Sequence, residues 1–405
     1  MTPNPDDRMG DATDPDVVAL LQAAAEFPPN ALAAIVGIVG DLVGASAARL
    51  LVVDYALDCL HEVGDQGPTG RVEALVGTMA GRAFTHLDIV EGSGDPSTIW
   101  VAVAEGSERI GVLELEDLVW SPEVAAQLAP LLRALVLILA TRRRYTDVLL
   151  RSRRRRPLSL AAEMQWDLLP PLACSTEHVS VCGVLEPAYS NGGDSFDYAV
   201  NPGGVDFAII DAVGHGTSAV LMSVVAVTSL RNSRREGASL DVAYNDAGRA
   251  MATQFGRSAF VTGQMGSLAV DTGRLRWINA GHPLPLLVRD GTFVGELGCR
   301  PSLPMGLGGT VVEEAVEILQ KGDRVLFFTD GVIERRSADA GSFGLDRLAD
   351  LLVRATLDGV PPPETVRRLA ALIVDFDGNE LTDDATLLLL EYHGSHDRTG
   401  TSPGG

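Results

Sequence analysis

Four aspartates occupy similar places in the second half of the chain. Asp211 closes the apolar run VDFAII and is followed at once by the glycine-spaced turn AVGHG. Asp194 sits upstream, behind a Gly-Gly pair in NGGDSFD. Asp330 ends the apolar run RVLFFTDG, and Asp383-Asp384 stand immediately before the apolar run ATLLLLEY. A glycine turn after an apolar strand can cradle phosphate, but a P-loop needs G-x-x-x-x-G-K-[ST], with lysine supplying positive charge. Residues 191–219 hold no lysine; they offer Asp194, Asp197 and Asp211. Bare carboxylates repel a phosphate by about several kcal/mol at low effective dielectric. The dinucleotide fingerprint G-x-G-x-x-G is missing as well. A cation among the carboxylates removes the conflict. Mg²⁺ and Mn²⁺ prefer oxygen ligands in octahedral geometry and keep several waters, and glycine lets a backbone carbonyl come close. A single strand-end aspartate is more often a cap or an Asx-turn. Four such signals, at Asp194, Asp211, Asp330 and Asp384, favour a shared metal centre.

The elements that must position these residues are short. From residue 178 onward HVSVCGVLEP, SFDYAV, VDFAIID, SLAVD, RLRWINAG, LPLLVRDG, EEAVEIL, RVLFFTD and ATLLLLEY read as strands. Helical patterns follow residue 216 and recur at 240–255, 344–355 and 363–376. Hairpin-like strands with grouped helices predict packed antiparallel sheets flanked by helices rather than a regular βαβ alternation. Ahead of this region, 16–27 and 31–43 read as helices, 48–57, 97–105 and 108–116 as strands, and 123–144 as a long helix. Together they predict a small α+β domain. The expected organisation is a disordered tail (1–15), an N-terminal domain (16–140), a helical linker (141–173), a C-terminal domain (174–393) and a second tail (394–405).

The bulk composition agrees with two globular domains: 405 residues, 46% hydrophobic and 21% charged. A net charge of −22 argues against general nucleic-acid binding. Cys59, Cys174, Cys182 and Cys299 are scattered, with neither a zinc spacing nor a disulfide framework, which suits a reducing cytoplasm. The acidic start MTPNPDDRMGDATDPD is not a signal peptide. The most apolar window, 128–140, is too short to span a bilayer and carries Arg133, so no membrane association is expected. The segment 142–156 contains eight arginines and one aspartate. It reads as a solvated or internally paired connecting helix, continuous with the pattern over 123–168, in preference to a nucleic-acid site.

Two stretches carry family resemblances. VGTMAGRAFTHLDIVEG followed by WVAVAEGSERIGVLELED is similar to the second half of a GAF domain, a signal- or ligand-sensing module, over roughly 30–140. GGDSFD, DAVGHG, FVTGQMGSLAVD, NAGHPLP, GDRVLFFTDGVIE and DDAT, in that order, resemble the SpoIIE-type branch of the metal-dependent PPM serine/threonine phosphatases over about 175–392. The second resemblance implies an αββα sandwich and a site for two Mn²⁺ or Mg²⁺ ions. It implies that Asp211 bridges the ions with the Ala212 carbonyl as a further ligand, and that Asp194, Asp330 and Asp384 complete the set. Asp197 would support the site from behind, and Asp383 could serve either way. Two such ions activate a water for in-line attack on phosphorus and neutralise the phosphoryl oxygens, so no Cys or Ser nucleophile is required.

His215 is offset by two residues from the place of the histidine in eukaryotic relatives, where Val213 stands, and reads as a turn residue. His282 and Asn279, in NAGHP, read as structural. The function implied is a cytoplasmic protein serine/threonine phosphatase, regulated by its N-terminal sensor through an unknown ligand or partner. The family's usual substrate is a phosphorylated anti-sigma-factor antagonist, and a homodimer is among the assemblies allowed. The alternatives are a catalytically silent binding protein of the same fold and a small-molecule phosphoesterase.

Overall fold

The computed structural model describes residues 14–92, 97–190, 192–256, 259–308, 312–337, 341–376 and 384–395. The tails expected at 1–15 and 394–405 fall outside these residues except for their inner two positions, and Asp383 falls outside as well. The chain forms two compact units, Met1–Arg156 and Pro157–Gly405.

The first unit runs α1 (Pro15–Glu26), α2 (Leu32–Val43), β1 (Ala47–Val53), β2 (Cys59–Gly64), β3 (Gly67–Ala74) and α3 (Met79–His86). It continues through β4 (Ile89–Glu91), β5 (Thr98–Glu105), β6 (Glu108–Glu116), α4 (Pro122–Arg142) and α5 (Val148–Ser152). Its antiparallel sheet has the order β3-β2-β1-β6-β5-β4. Side chains alternate between the two faces, as the period of a strand requires. Leu50, Val52, Leu113 and Leu115 pack under α1, α2 and α4, whereas Leu51, Val53, Leu60 and Val112 pack against α3.

Two expectations change here. α4 has 21 residues, longer than the apolar window at 128–140, so by length and composition alone it could cross a membrane. Its Leu128, Leu131, Leu135 and Leu139 instead fill the core of this unit. The continuous helix expected over 123–168 is also broken, into α4, α5 and a third helix beginning at Leu160. Arginines beside both breaks have internal partners. Arg142 donates to the Ala24, Phe27 and Pro28 carbonyls around the end of α1, where a cation is favoured by the helix dipole. Arg153 donates to the Val53 carbonyl at 3.2 Å and lies over the Tyr55 ring, and Arg155 pairs with Asp58 at 2.6 Å. Three of the eight arginines of the basic run thus have these internal partners.

The second unit opens with α6 (Leu160–Leu168), β7 (Ala173–Ser175), β8 (Val179–Glu186), β9 (Ser195–Asn201), β10 (Gly204–Ala212), α7 (Thr217–Arg235) and α8 (Leu240–Phe255). Then come β11 (Val261–Ala269), β12 (Arg274–Ala280), β13 (Leu286–Arg289), β14 (Thr292–Glu296), β15 (Ala315–Ile318) and β16 (Arg324–Phe328). It ends with α9 (Asp330–Ile333), β17 (Arg336–Ser337), β18 (Gly341–Ser342), α10 (Leu345–Leu357), α11 (Pro362–Asp375) and β19 (Ala385–Tyr392). The two large sheets have the orders β15-β12-β11-β10-β9 and β14-β13-β16-β19-β8-β7. Phe196, Phe207, Ile209 and Trp277 of the first meet Val181, Phe327, Leu388 and Leu390 of the second. The Phe207 and Phe327 rings are 4.7 Å apart. On the outer face of the five-stranded sheet, Ala208, Ile210 and Met265 pack under Val227 and Met251 of α7 and α8. On the outer face of the other, α11 packs on β8 and β19. The result is an αββα sandwich.

Candidate metal centre

The site forms where one end of each sheet meets the other. β9 and β10 pair antiparallel with Ile210 opposite Ser195, so the next residues out, Asp211 and Asp194, emerge at the same end. β16 and β19 pair with Phe328 opposite Leu387, and the Thr329 amide donates to the Thr386 carbonyl at 3.1 Å. Asp330 and Asp384 therefore share an end too. Each of the four aspartates stands at or close beside a strand end. Asp194 and Asp384 precede β9 and β19, Asp211 lies near the end of β10, and Asp330 is the first residue of α9. Antiparallel pairing brings them together: the start of one strand lies beside the end of its neighbour.

Contacts between the sheets centre on Asp194, which is 2% exposed. Its Oδ2 accepts from Thr329 Oγ1 and from Thr386 Oγ1, both at 2.7 Å. Its amide donates to Asp384 Oδ2 at 3.3 Å. Burial pushes the Asp194 carboxyl well above the usual carboxylate range, and the charges of Asp211 and Asp384 push the same way; the two threonine hydroxyls oppose them. Thr329 and Thr386 were not singled out from the sequence, although each adjoins a quoted aspartate, in TDG and DDAT.

Glycines set the close approaches. The Ala212 amide donates to the Gly193 carbonyl at 3.2 Å, and a side chain on Gly193 would begin 3.2 Å from the Ala212 carbonyl. At Gly331 a Cβ would fall 1.9 Å from the Asp384 carbonyl oxygen. Gly331→Ala should therefore force the Asp330 turn and Asp384 apart. The expected cost is about 3 kcal/mol of stability together with loss of Mn²⁺ binding, read by urea unfolding and by calorimetry.

The donor set suits a hard divalent cation. It is all oxygen, it includes the buried carboxylates of Asp194 and Asp384, the charges of Asp211 and Asp384 add to burial in raising the Asp194 pKa, and the Ala212 carbonyl follows Asp211 at the end of β10. Among the described residues no three His, Cys, Asp or Glu side chains close on a single point.

The remaining acidic and histidine candidates lie elsewhere. Asp197 is not at the site: it is buried against α7, where it accepts from Arg231 at 2.7 Å and Arg234 at 2.8 Å. It thereby anchors the helix whose Ser223 hydroxyl donates to the Gly193 carbonyl. His215 is exposed in the turn before α7. His282 is buried, and its main chain is clasped by Asn279, which accepts from the His282 amide at 2.7 Å and donates to its carbonyl at 2.8 Å. Its Nδ1 lies 3.3 Å from Thr262 Oγ1, on the residue paired with Asp211.

Burial lowers the His282 pKa from 6.5 to about 4. Because the folded value is the lower one, the unfolded chain binds the extra proton between these values, and stability is lost as pH falls from 6.5 to about 4. The loss should reach about 3 kcal/mol. In urea unfolding across that range, His282→Gln should flatten the acid limb.

Two packed antiparallel sheets between helix layers, with aspartates gathered where the sheets meet, are the architecture that the resemblance to the metal-dependent PPM phosphatases implies for the second unit. Residues 201–393 match the family model described as stage II sporulation protein E (SpoIIE). A curated relative is the phosphoserine phosphatase RsbU of Bacillus subtilis (strain 168), 22% identical over 236 residues, covering 58% of this chain and 69% of the relative. Among solved structures, the RsbU and RsbW domains of Rv1364c from Mycobacterium tuberculosis align with 26% identity and a TM-score of 0.45. That alignment covers 54% of this chain and 60% of the other, less than two thirds of its length. The SiaA-PP2C domain of Pseudomonas aeruginosa aligns with 21% identity and a TM-score of 0.49, covering 57% of this chain and 94% of that domain.

Proposed function

We propose that this chain removes phosphate from phosphoserine or phosphothreonine on a partner protein, an anti-sigma-factor antagonist, under the control of a GAF-like N-terminal sensor. The observation that carries the reading is the meeting of Asp194 with Asp384, Thr329 and Thr386 across the two sheets, beside Asp211. Asp194, Asp211, Asp330, Asp384 and the Ala212 carbonyl would hold two Mn²⁺ or Mg²⁺ ions. Such ions, when bound, neutralise phosphoryl oxygens and make water a competent nucleophile at neutral pH. The chain's own contribution is to hold the carboxylates in place: Thr329 and Thr386 fix one oxygen of Asp194, and Gly331 keeps the Asp330 turn against Asp384. The substrate assignment is supported by the relative's name, phosphoserine phosphatase, and by the family resemblance. A cytoplasmic location goes with the four free cysteines.

The deciding experiment assays the full chain, and residues 157–405 alone, with Mn²⁺, with Mg²⁺ and with EDTA. Substrates are phosphorylated antagonist proteins, free phosphoserine and p-nitrophenyl phosphate. Metal-dependent release from the phosphoprotein, far faster than from phosphoserine and altered by removing the first unit, is the expected result. Equal rates on phosphoserine would make the chain a small-molecule phosphoesterase, and no release at all would make it a silent binding protein.

A further inference from the structure

Helix α6, which overlaps the segment AAEMQWDLLPP, is tied to the rest of the second unit at both ends and reaches the candidate metal centre from its middle. The Ser159 amide, just before the helix, donates to the Tyr189 carbonyl at 3.1 Å, and the Trp166 indole N–H donates to the Ala188 carbonyl at 2.8 Å. At its end the Leu168 carbonyl accepts from Arg231 at 2.7 Å, the same arginine that grips Asp197. Between these ties, Gln165 Nε2 donates to the main-chain carbonyl of Asp194 at 2.7 Å.

Gln165 is 1% exposed, and its Oε1 has no hydrogen-bond partner among the described residues. For stability alone this is a poor choice, because an unpaired buried acceptor costs free energy that an apolar side chain of similar shape avoids. What the glutamine supplies is a fixed donor to Asp194. That residue is then held at three places: its carbonyl by Gln165, its amide against Asp384, and its carboxylate by Thr329 and Thr386. Groups that orient a ligand from behind strongly affect metal affinity.

We propose that Gln165 is a positioning residue for divalent-metal binding: from α6 it fixes the main chain of Asp194 and so sets how that carboxylate meets the cation. Gln165 acts through Asp194 and has no part in the chemical step. The inference rests on the reading of Asp194 as a metal ligand, given above.

The test uses the full chain and Mn²⁺ alone as the probe, with affinity measured by isothermal calorimetry and folding by the Tm of the metal-free protein. Gln165→Leu removes the unpaired Oε1 but also takes the donor from the Asp194 carbonyl, so the two effects on the metal-free Tm should largely offset, while Mn²⁺ binding should weaken about 10-fold. Gln165→Met, closer in shape, is measured beside it in case the leucine variant misfolds. Gln165→Glu, which turns an acceptor toward the Asp194 carbonyl, should weaken binding further. Turnover at saturating Mn²⁺ should return to near the wild-type rate in the leucine and methionine variants, separating metal affinity from kcat. Wild-type Mn²⁺ affinity in both of those variants would overturn the proposal. Asp194→Asn is the companion control: if it binds Mn²⁺ as the wild type does, or if the wild type binds none, the ligand reading fails and this inference falls with it.

Discussion

Replacing Asp211 by asparagine should lower Mn²⁺-dependent turnover by about 10³-fold or more while leaving the fold intact. The size of the effect follows from what the carboxylate would do. An aspartate shared between two cations supplies charge to both, and losing it removes several kcal/mol of transition-state stabilisation, at about 1.4 kcal/mol per tenfold. The fold should survive because Asp211 is only half-buried, near the end of β10, and its place in the sheet is fixed by backbone pairing with Thr262. Asparagine has the same shape and keeps an acceptor oxygen. The measurement is hydrolysis of a phosphoprotein and of p-nitrophenyl phosphate over a Mn²⁺ series, with circular dichroism and Tm on the same samples. Activity within a factor of a few of wild type would refute the assignment of Asp211 to the metal set.

Asp194→Asn should have two opposite effects. Without metal it should stabilise the protein, because Asp194 is a buried carboxyl whose ionised form is disfavoured by burial and by Asp211 and Asp384. The sign follows from linkage. The folded-state pKa lies above the unfolded value, so the folded protein holds the extra proton between the two. Stability is greatest below the ordinary carboxylate pKa and is lost as pH rises through the raised folded value. Asparagine removes that loss and can still accept from Thr329 and Thr386. At neutral pH a rise in metal-free Tm of about 2–4 °C, the shift expected for roughly 1 kcal/mol in a unit of this size, is anticipated. The same substitution should weaken Mn²⁺ binding by about 100-fold or more, beyond the loss typical of groups behind a ligand. Saturating Mn²⁺ should then raise the wild-type Tm, since a ligand that binds only the folded state stabilises it, but not that of the variant. His282 acts in the opposite direction below pH 6.5, so wild type and variant must be compared at each pH. A variant less stable than wild type without metal would contradict the crowding of charge described here.

These two substitutions also show how unevenly the site could be read from sequence. Both aspartates were visible because each stands beside a glycine and an apolar strand, a pattern with period and punctuation of its own. The helices at 217–235, 240–255, 345–357 and 362–375 were legible for the same kind of reason. The hairpin β2–β3 and the short helix α3 were not. β3 is largely exposed and polar, with the sequence GPTGRVEA, and offers little hydrophobic alternation. The break after α4 was hidden because the apolar period resumes at Val148 and Leu149, which pack into the first unit's core.

The sequence by itself determined the chemistry available: oxygen donors with glycine at their backs, no lysine to hold a phosphate, and a family order of motifs. It could not say which aspartates meet. Asp194 and Asp197 are three residues apart in GGDSFD, and one joins Asp384 whereas the other pairs with Arg231 and Arg234. Their odd spacing on an extended chain turns them to opposite faces, and only the tertiary structure reveals which face looks toward the second sheet. Thr329, Thr386 and Gln165 lie 135, 192 and 29 residues from Asp194 in sequence. Their roles exist only because antiparallel pairing and sheet packing bring those distant segments to one edge. No local pattern encodes such contacts, because they are set by the burial of two sheet faces against each other.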